Sequence, residues 1–190
     1  MDLESMLNEK QQQAVETTEG PVLVLAGAGS GKTRTLTYRV AYLIEQGVSP
    51  YNILTLTFTN KAAEDMKGKV ERIIGDLPSD LWLGTFHGIC VRILSRHLEE
   101  LGYNSNFVIY DRTESETLVE DIILSFNLDK EKYEVKKVYA MINKAKRKLW
   151  SKAELIEHYQ DGEQEGDFYQ NIADVYAKYN EVLKDNNAFD

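Results

Sequence analysis

The sequence predicts an α/β protein: a parallel sheet covered by helices over residues 1–110, followed by an all-helical segment over residues 111–190. Three observations carry the prediction. Short apolar runs alternate with amphipathic stretches as far as residue 110, the order that builds a parallel sheet with helices on its faces. A glycine-rich stretch, AGAGSGKTRT (26–35), stands between the first such run and the first such stretch. Beyond residue 111 every periodic segment repeats at helical spacing.

Taken in order, PVLVLA (21–26) is an apolar run led by Pro21, the pattern of a parallel strand buried on both faces. KTRTLTYRVAYLIEQG (32–47) follows as a helix, with Leu36, Val40, Leu43 and Ile44 on its inner face and Gly47 as its stop. ILTLTF (53–58) reads as a second strand. NKAAEDMKGKVERIIG (60–75) is a helix with Asn60 as N-cap and Ala63, Met66, Val70 and Ile73 inward. LWLGTF (81–86) is a third strand, and HGICVRILSRHLEELG (87–102) a helix with Cys90, Ile93, Leu94 and Leu101 inward. FVIY (107–110) is a fourth strand. The helical half comprises 114–126, 134–149, 152–160 and 168–186, with Ser151 and Glu154 forming a capping box and an acidic loop, DGEQEGD, at 161–167.

Between strand and helix, residues 26–33 come within one position of G-x-x-x-x-G-K-[ST], the loop that cradles phosphates. Gly29, Ser30 and Gly31 let successive N–H groups turn inward, and Ala28 counts with them among the candidate nucleotide-binding residues. Gly31 and Lys32 open a helix whose N-terminus carries partial positive charge. Lys32 reaches the β- and γ-phosphates, and the Thr33 hydroxyl ligates Mg²⁺. Ala26 replaces the first glycine, a change the loop accepts so long as its φ stays negative.

Composition narrows the classes. The single cysteine, Cys90, leaves no internal disulfide and suits a reducing cytosol. No segment reads as a targeting peptide or a membrane span. The net charge of −9 weighs against nucleic acid as a partner, but a local basic groove on an acidic body still binds phosphates. One basic run, Lys136, Lys137, Lys144, Lys146, Arg147 and Lys148, is read first as a solvated helix face and second as a DNA contact.

Four stretches in fixed order, LNEKQQQAV (7–15), AGAGSGKTRT (26–35), LTFTNKAAEDM (56–66) and GTFHGICVRIL (84–94), resemble the N-terminal motifs of UvrD/PcrA/Rep-type superfamily 1 DNA helicases. The resemblance covers nearly the whole chain. It implies a RecA-like P-loop motor domain, interrupted from about residue 111 by a helical subdomain, and a chain that is the N-terminal fragment of a longer enzyme. It implies ATP and Mg²⁺ as cofactors, single-stranded DNA and its junctions with duplex as partners, no membrane, and a cytoplasmic, nucleoid-associated location. By the same resemblance Gln11 reads the adenine edge and Arg34 packs near the base. Phe58 stacks on bases, with Thr57, Thr59, Asn60, Thr85 and His87 beside it on the DNA track. Read from the residues alone, Phe58 fits either an exposed platform or a core phenylalanine, and Gln11 and Arg34 fit surface helix positions.

The metal carboxylate, the water-positioning group and the arginine finger that hydrolysis requires have no counterpart in the family's positions here, so the fragment alone is expected to be inactive. Asp111, closing the strand FVIYD, resembles a metal carboxylate by position but lacks the following glutamate, and the resemblance puts it where the helical insertion begins. Two other readings stay open: a small P-loop kinase with Asp111 on the metal, and a non-enzymatic helical interaction module.

Overall fold

The computed structural model describes residues 2–159 and 166–190. Most of the acidic loop expected at 161–167 lies outside them. The chain divides into two compact units, Met1–Arg96 and His97–Asp190.

The first unit opens with two capped helices. Asp2 caps α1 (Leu3–Met6), and Asn8 caps α2 (Glu9–Glu16) in a reciprocal box with Gln11. The box satisfies two backbone N–H groups that a helix start leaves unpaired. Then come α3 (Lys32–Glu45), a 3₁₀ turn at Pro50–Asn52, β1 (Leu54–Thr57), α4 (Asn60–Ile74), β2 (Trp82–Thr85) and α5 (Phe86–Leu101). The unit boundary falls inside α5 at His97, whose φ of −122° and ψ of 15° leave the helical region. β1 and β2 pair in parallel, with Leu54 opposite Trp82 and Thr57 opposite Thr85. Val40, Ile53, Ala63, Met66, Val70, Leu81 and Leu83 form one core. Leu3, Leu7 and Val15 form a smaller one, closed by Tyr38 and Tyr42. Arg39 ties α3 to the end of α2: its guanidinium donates to the carbonyls of Ala14 (2.5 Å) and Thr17 (2.6 Å), a cation at a helix C-terminus.

Several sequence expectations change here. Residues 21–26 form no strand. An all-apolar strand needs neighbouring strands along its edges and covering layers on both faces, and neither β1 nor β2 pairs with this run. Its side chains therefore stay in solvent, Leu23 at 84% and Leu25 at 86% exposure. The N-cap of α4 is Thr59, not Asn60: the Thr59 hydroxyl accepts from the Ala62 N–H at 3.2 Å, and Asn60 is the first helical residue. Ala63, Met66 and Val70 are buried as expected. Leu36 faces outward on α3, as do Cys90, Ile93 and Leu101 on α5, whose buried residues are Ile89 and Leu98.

In the second unit, 107–110 contributes β3 (Val108–Ile109), but not to the β1–β2 sheet. It pairs in parallel with β4 (Ala188–Phe189), which sequence periodicity is too short to reveal and which makes this half not wholly helical. Between them lie α6 (Arg112–Ser125), α7 (Val135–Lys148), α8 (Lys152–Tyr159) and α9 (Gly166–Asp185). The capping box of Ser151 and Glu154 is present: the Ser151 N–H donates to Glu154 Oε2 (2.7 Å) and the Glu154 N–H to Ser151 Oγ (3.2 Å). The core includes Val119, Ile123, Val138, Ile142, Leu155, Ile172 and Tyr179. Burial pushes the Tyr179 phenol above its ordinary pKa, and its hydroxyl donates to Asp190 Oδ2 at 2.9 Å.

A candidate nucleotide pocket and a candidate nucleic-acid face

Gly31 is the N-cap of α3, with a φ of +87°, and no side chain caps the helix. The first N–H groups of a 14-residue helix are therefore left for another acceptor. Gly29 also lies in the left-handed region, at φ +75°, and the Ser30 N–H and Oγ both donate to the Gly27 carbonyl, at 3.4 and 2.7 Å. Ala26 is not among the described non-glycine residues of positive φ, so the alanine at the loop's first position is unstrained. Lys32 Nζ donates to the carbonyls of Ala26 (3.1 Å) and Gly27 (2.6 Å), which holds the ammonium against the loop. Ala28 and Thr33 are exposed beside it.

The Gln11 amide reaches this loop. Its Nε2 donates to the Ser30 carbonyl at 3.0 Å, while its Oε1 accepts from the Asn8 N–H at 3.1 Å. A cavity of 310 Å³ lies between α2 and the loop, lined by Lys10, Gln11, Ala14, Leu25, Ser30 and Lys32, among others. The chemistry of these residues suits a triphosphate: a helix N-terminus without a side-chain cap and an ammonium beside it. For magnesium they offer the Thr33 hydroxyl; among the described residues no three His, Cys, Asp or Glu side chains cluster as a metal site. Arg34 lies 5.7 Å over the Tyr38 ring. It lines a separate cavity of 400 Å³ together with Lys69 and Arg72. Sequence reasoning missed those two cations; their spacing of three on α4 was the available signal.

The second group sits at the ends of β1 and β2. Because Thr57 is in register with Thr85, the residues that follow, Phe58 and Phe86, come side by side with ring centroids 5.5 Å apart. Phe58 is 89% exposed, so it is no core residue, and Phe86 is 45% exposed. Helices α4 and α5 begin at this edge. Their N-caps match: Thr59 Oγ1 accepts from the Ala62 N–H, and Thr85 Oγ1 accepts from the Gly88 N–H at 3.1 Å. Asn60 and His87 are exposed in the first turns. Two helix N-termini, a row of hydroxyls and two rings thus share one edge, an arrangement able to take phosphates on the N–H groups and bases on the rings.

Asp111 is engaged otherwise. Its carboxylate caps α6, accepting from the Glu114 N–H at 2.8 Å, and Glu114 Oε2 accepts from the Asp111 N–H at 2.7 Å. The basic run is partly used inside its own unit: Lys137 pairs with Glu134 (2.5 Å), Lys146 with Asp190, and Lys144 lies 5.1 Å over the Tyr159 ring. Lys146, Arg147 and Lys148 also occupy the last turn of α7, where the helix dipole favours cations. Among the described residues, no helix is long and apolar enough to cross a membrane.

Comparison with known proteins identifies a family for the chain. The UvrD/REP helicase N-terminal domain matches residues 7–190. The ATP-dependent DNA helicase PcrA of Staphylococcus aureus (strain Mu50) is 43% identical over 187 residues, 97% of this chain and 25% of the relative. PcrA of Staphylococcus epidermidis (strain ATCC 12228) is 44% identical over the same shares. The chain spans about a quarter of the length of these curated relatives. With a match running from before α2 to the last residue, the chain belongs to the UvrD/REP helicase N-terminal domain family.

Proposed function

We propose that this chain is the ATP-binding and single-stranded-DNA-contacting N-terminal part of an ATP-dependent 3′-to-5′ DNA helicase that opens duplex at single-strand/double-strand junctions in the cytoplasm. Residues 1–110 correspond in this reading to the first part of a RecA-like motor domain, and 111–190 to a helical subdomain inserted in it. The observation that carries the proposal is the start of α3: a helix without a side-chain cap, entered through Gly31 in the left-handed region, with Lys32 and the Gln11 amide turned onto the same loop.

Each residue has a stated part. The N–H groups of Ala28 to Thr33 receive phosphate oxygens. Lys32 exchanges its two carbonyl partners for phosphate oxygens, a stronger charge-assisted bond. Gln11 presents donor and acceptor to adenine, and Arg34, which lines the separate cavity on the other side of α3's first turn, packs near the base only once nucleotide is bound. The Thr33 hydroxyl would hold magnesium in part, and the ion would offset the charge of the phosphates when bound. Phe58 stacks on bases while Thr57, Thr59, Asn60, Thr85 and His87 face the strand's phosphates. Asp111 takes no part in metal binding; its carboxylate is a helix cap. The carboxylate and arginine fingers for hydrolysis come from the remainder of the helicase.

Titration of the chain with Mg-ATP tests this. Weak binding that Lys32→Ala abolishes, with negligible turnover, is the expected outcome. Hydrolysis that single-stranded DNA stimulates and Lys32→Ala removes would contradict the division of labour.

A further inference from the structure

Phe86 is given no role in the proposed function, yet like Phe58 it immediately follows the end of a strand. Each ring lies beside the threonine that caps the next helix (Phe58 just before Thr59, Phe86 just after Thr85), and the Thr57–Thr85 register sets them side by side. A lone exposed phenylalanine on a soluble surface needs no explanation. A pair of exposed rings at two adjoining helix N-termini places apolar faces next to anion-binding groups, and single-stranded nucleic acid carries both complements.

The geometry decides how the pair works. A base held between two rings needs them about 7 Å apart, twice a contact distance of ~3.5 Å. At a centroid separation of 5.5 Å and an interplanar angle of 39°, the rings leave no such slot. They form a bent, continuous surface instead. Stacked bases in a duplex strand rise by about 3.4 Å, well short of the 5.5 Å between ring centres. Only a strand whose bases are pulled apart can place one base on each ring, and a paired duplex keeps its base faces covered.

We propose that Phe86 is a second base-stacking residue, extending Phe58 into a two-ring platform that takes two successive unstacked bases and so selects single-stranded over double-stranded DNA. This rests on the single-strand contact proposed above. It differs from a purely structural role for Phe86, in which the ring only shields the start of α5.

The test is fluorescence anisotropy of a labelled oligothymidylate at low salt, with the same backbone lacking bases as control. Phe86→Leu keeps apolar bulk without a π-face and is the primary variant; Phe86→Trp restores a face. The expected result is a loss of about 5- to 140-fold for Phe86→Leu on the base-bearing strand, corresponding to ~1–3 kcal/mol. Recovery by Phe86→Trp, unchanged affinity for the abasic strand and an unchanged salt slope should accompany it. Parent-like binding by Phe86→Leu while Phe58→Leu is weakened overturns the platform and leaves single-strand contact standing. Parent-like binding by both variants removes the single-strand reading as well. Equal losses on base-bearing and abasic strands overturn the inference, because the effect is then on the fold or the phosphate contacts.

Discussion

The side chain of Gln11 joins the start of α2 to the glycine-rich loop before α3: one end of its amide accepts from Asn8, the other donates to the Ser30 carbonyl. One residue therefore serves a helix cap and the loop geometry together. Gln11→Glu keeps the capping acceptor and loses the donor. It should leave the melting temperature within a degree or two of the parent while weakening nucleotide binding. Gln11→Ala loses both and should also lower stability by about 1 kcal/mol. Paired thermal melts and nucleotide titrations separate the two effects; parent-like nucleotide affinity in Gln11→Glu would remove the loop-tethering role.

Gly31 is irreplaceable for two reasons. Its φ of +87° disfavours a side chain, and a Cβ there would stand 2.6 Å from Gln11 Nε2. Gly31→Ala should cost about 1–2 kcal/mol for the backbone alone and displace Gln11. Gly27, with no atom within 4 Å of its notional Cβ and no positive φ, should accept alanine without loss of stability. Chemical denaturation of the two variants checks this; equal midpoints would contradict it.

Much of the first unit was legible in the sequence because its signals are local. The 3.6-residue period of α4 and the alternating leucines and threonines of β1 depend only on near neighbours, as does the box of Ser151 with Glu154 in the second unit. The departures are long-range. Residues 21–26 have the composition of a buried strand, but a strand exists only through its partners. Strands β3 and β4 are two residues each and eighty positions apart, beyond any periodicity. At the edge where β1 and β2 end, the strand ends and helix starts were readable to within a residue, whereas the pairing of Phe86 with Phe58 needed the register. Lys69 and Arg72 beside Arg34 needed the packing of α4 on α3.

The exposed run at Val22–Leu25 should drive association. Four consecutive apolar side chains in solvent next to unpaired backbone form an adhesive segment. Sedimentation should show self-association that rises with concentration, and Leu23→Lys with Leu25→Lys should suppress it without lowering the melting temperature, since neither side chain is buried. A monomer at all concentrations, melting sharply above about 65 °C, the upper mesophile range, would contradict this.

In the second unit, hydrogen bonds from Ser151 hold the Glu154 carboxyl below its ordinary pKa. A carboxyl depressed in the folded state adds stability above its unfolded value, and that contribution disappears as pH falls through the folded one. Melts between about pH 6 and pH 3, on either side of the ordinary glutamate value, should therefore show Glu154→Ala, which removes the carboxyl that the Ser151 N–H donates to, narrowing its deficit against the parent as the solution becomes acid. A constant deficit would show that the cap acts without the charge.

The central claim is that one unit carries two separable sites, a nucleotide pocket at α3 and a DNA face at the starts of α4 and α5. The most direct measurement is equilibrium binding of Mg-ATP and of oligothymidylate to the parent, Lys32→Ala and Phe58→Ala, each checked for an unchanged melt. The account predicts that Lys32→Ala loses nucleotide and keeps DNA, and that Phe58→Ala weakens DNA binding and keeps nucleotide. Loss of both ligands together, or DNA affinity untouched by Phe58→Ala, would contradict it.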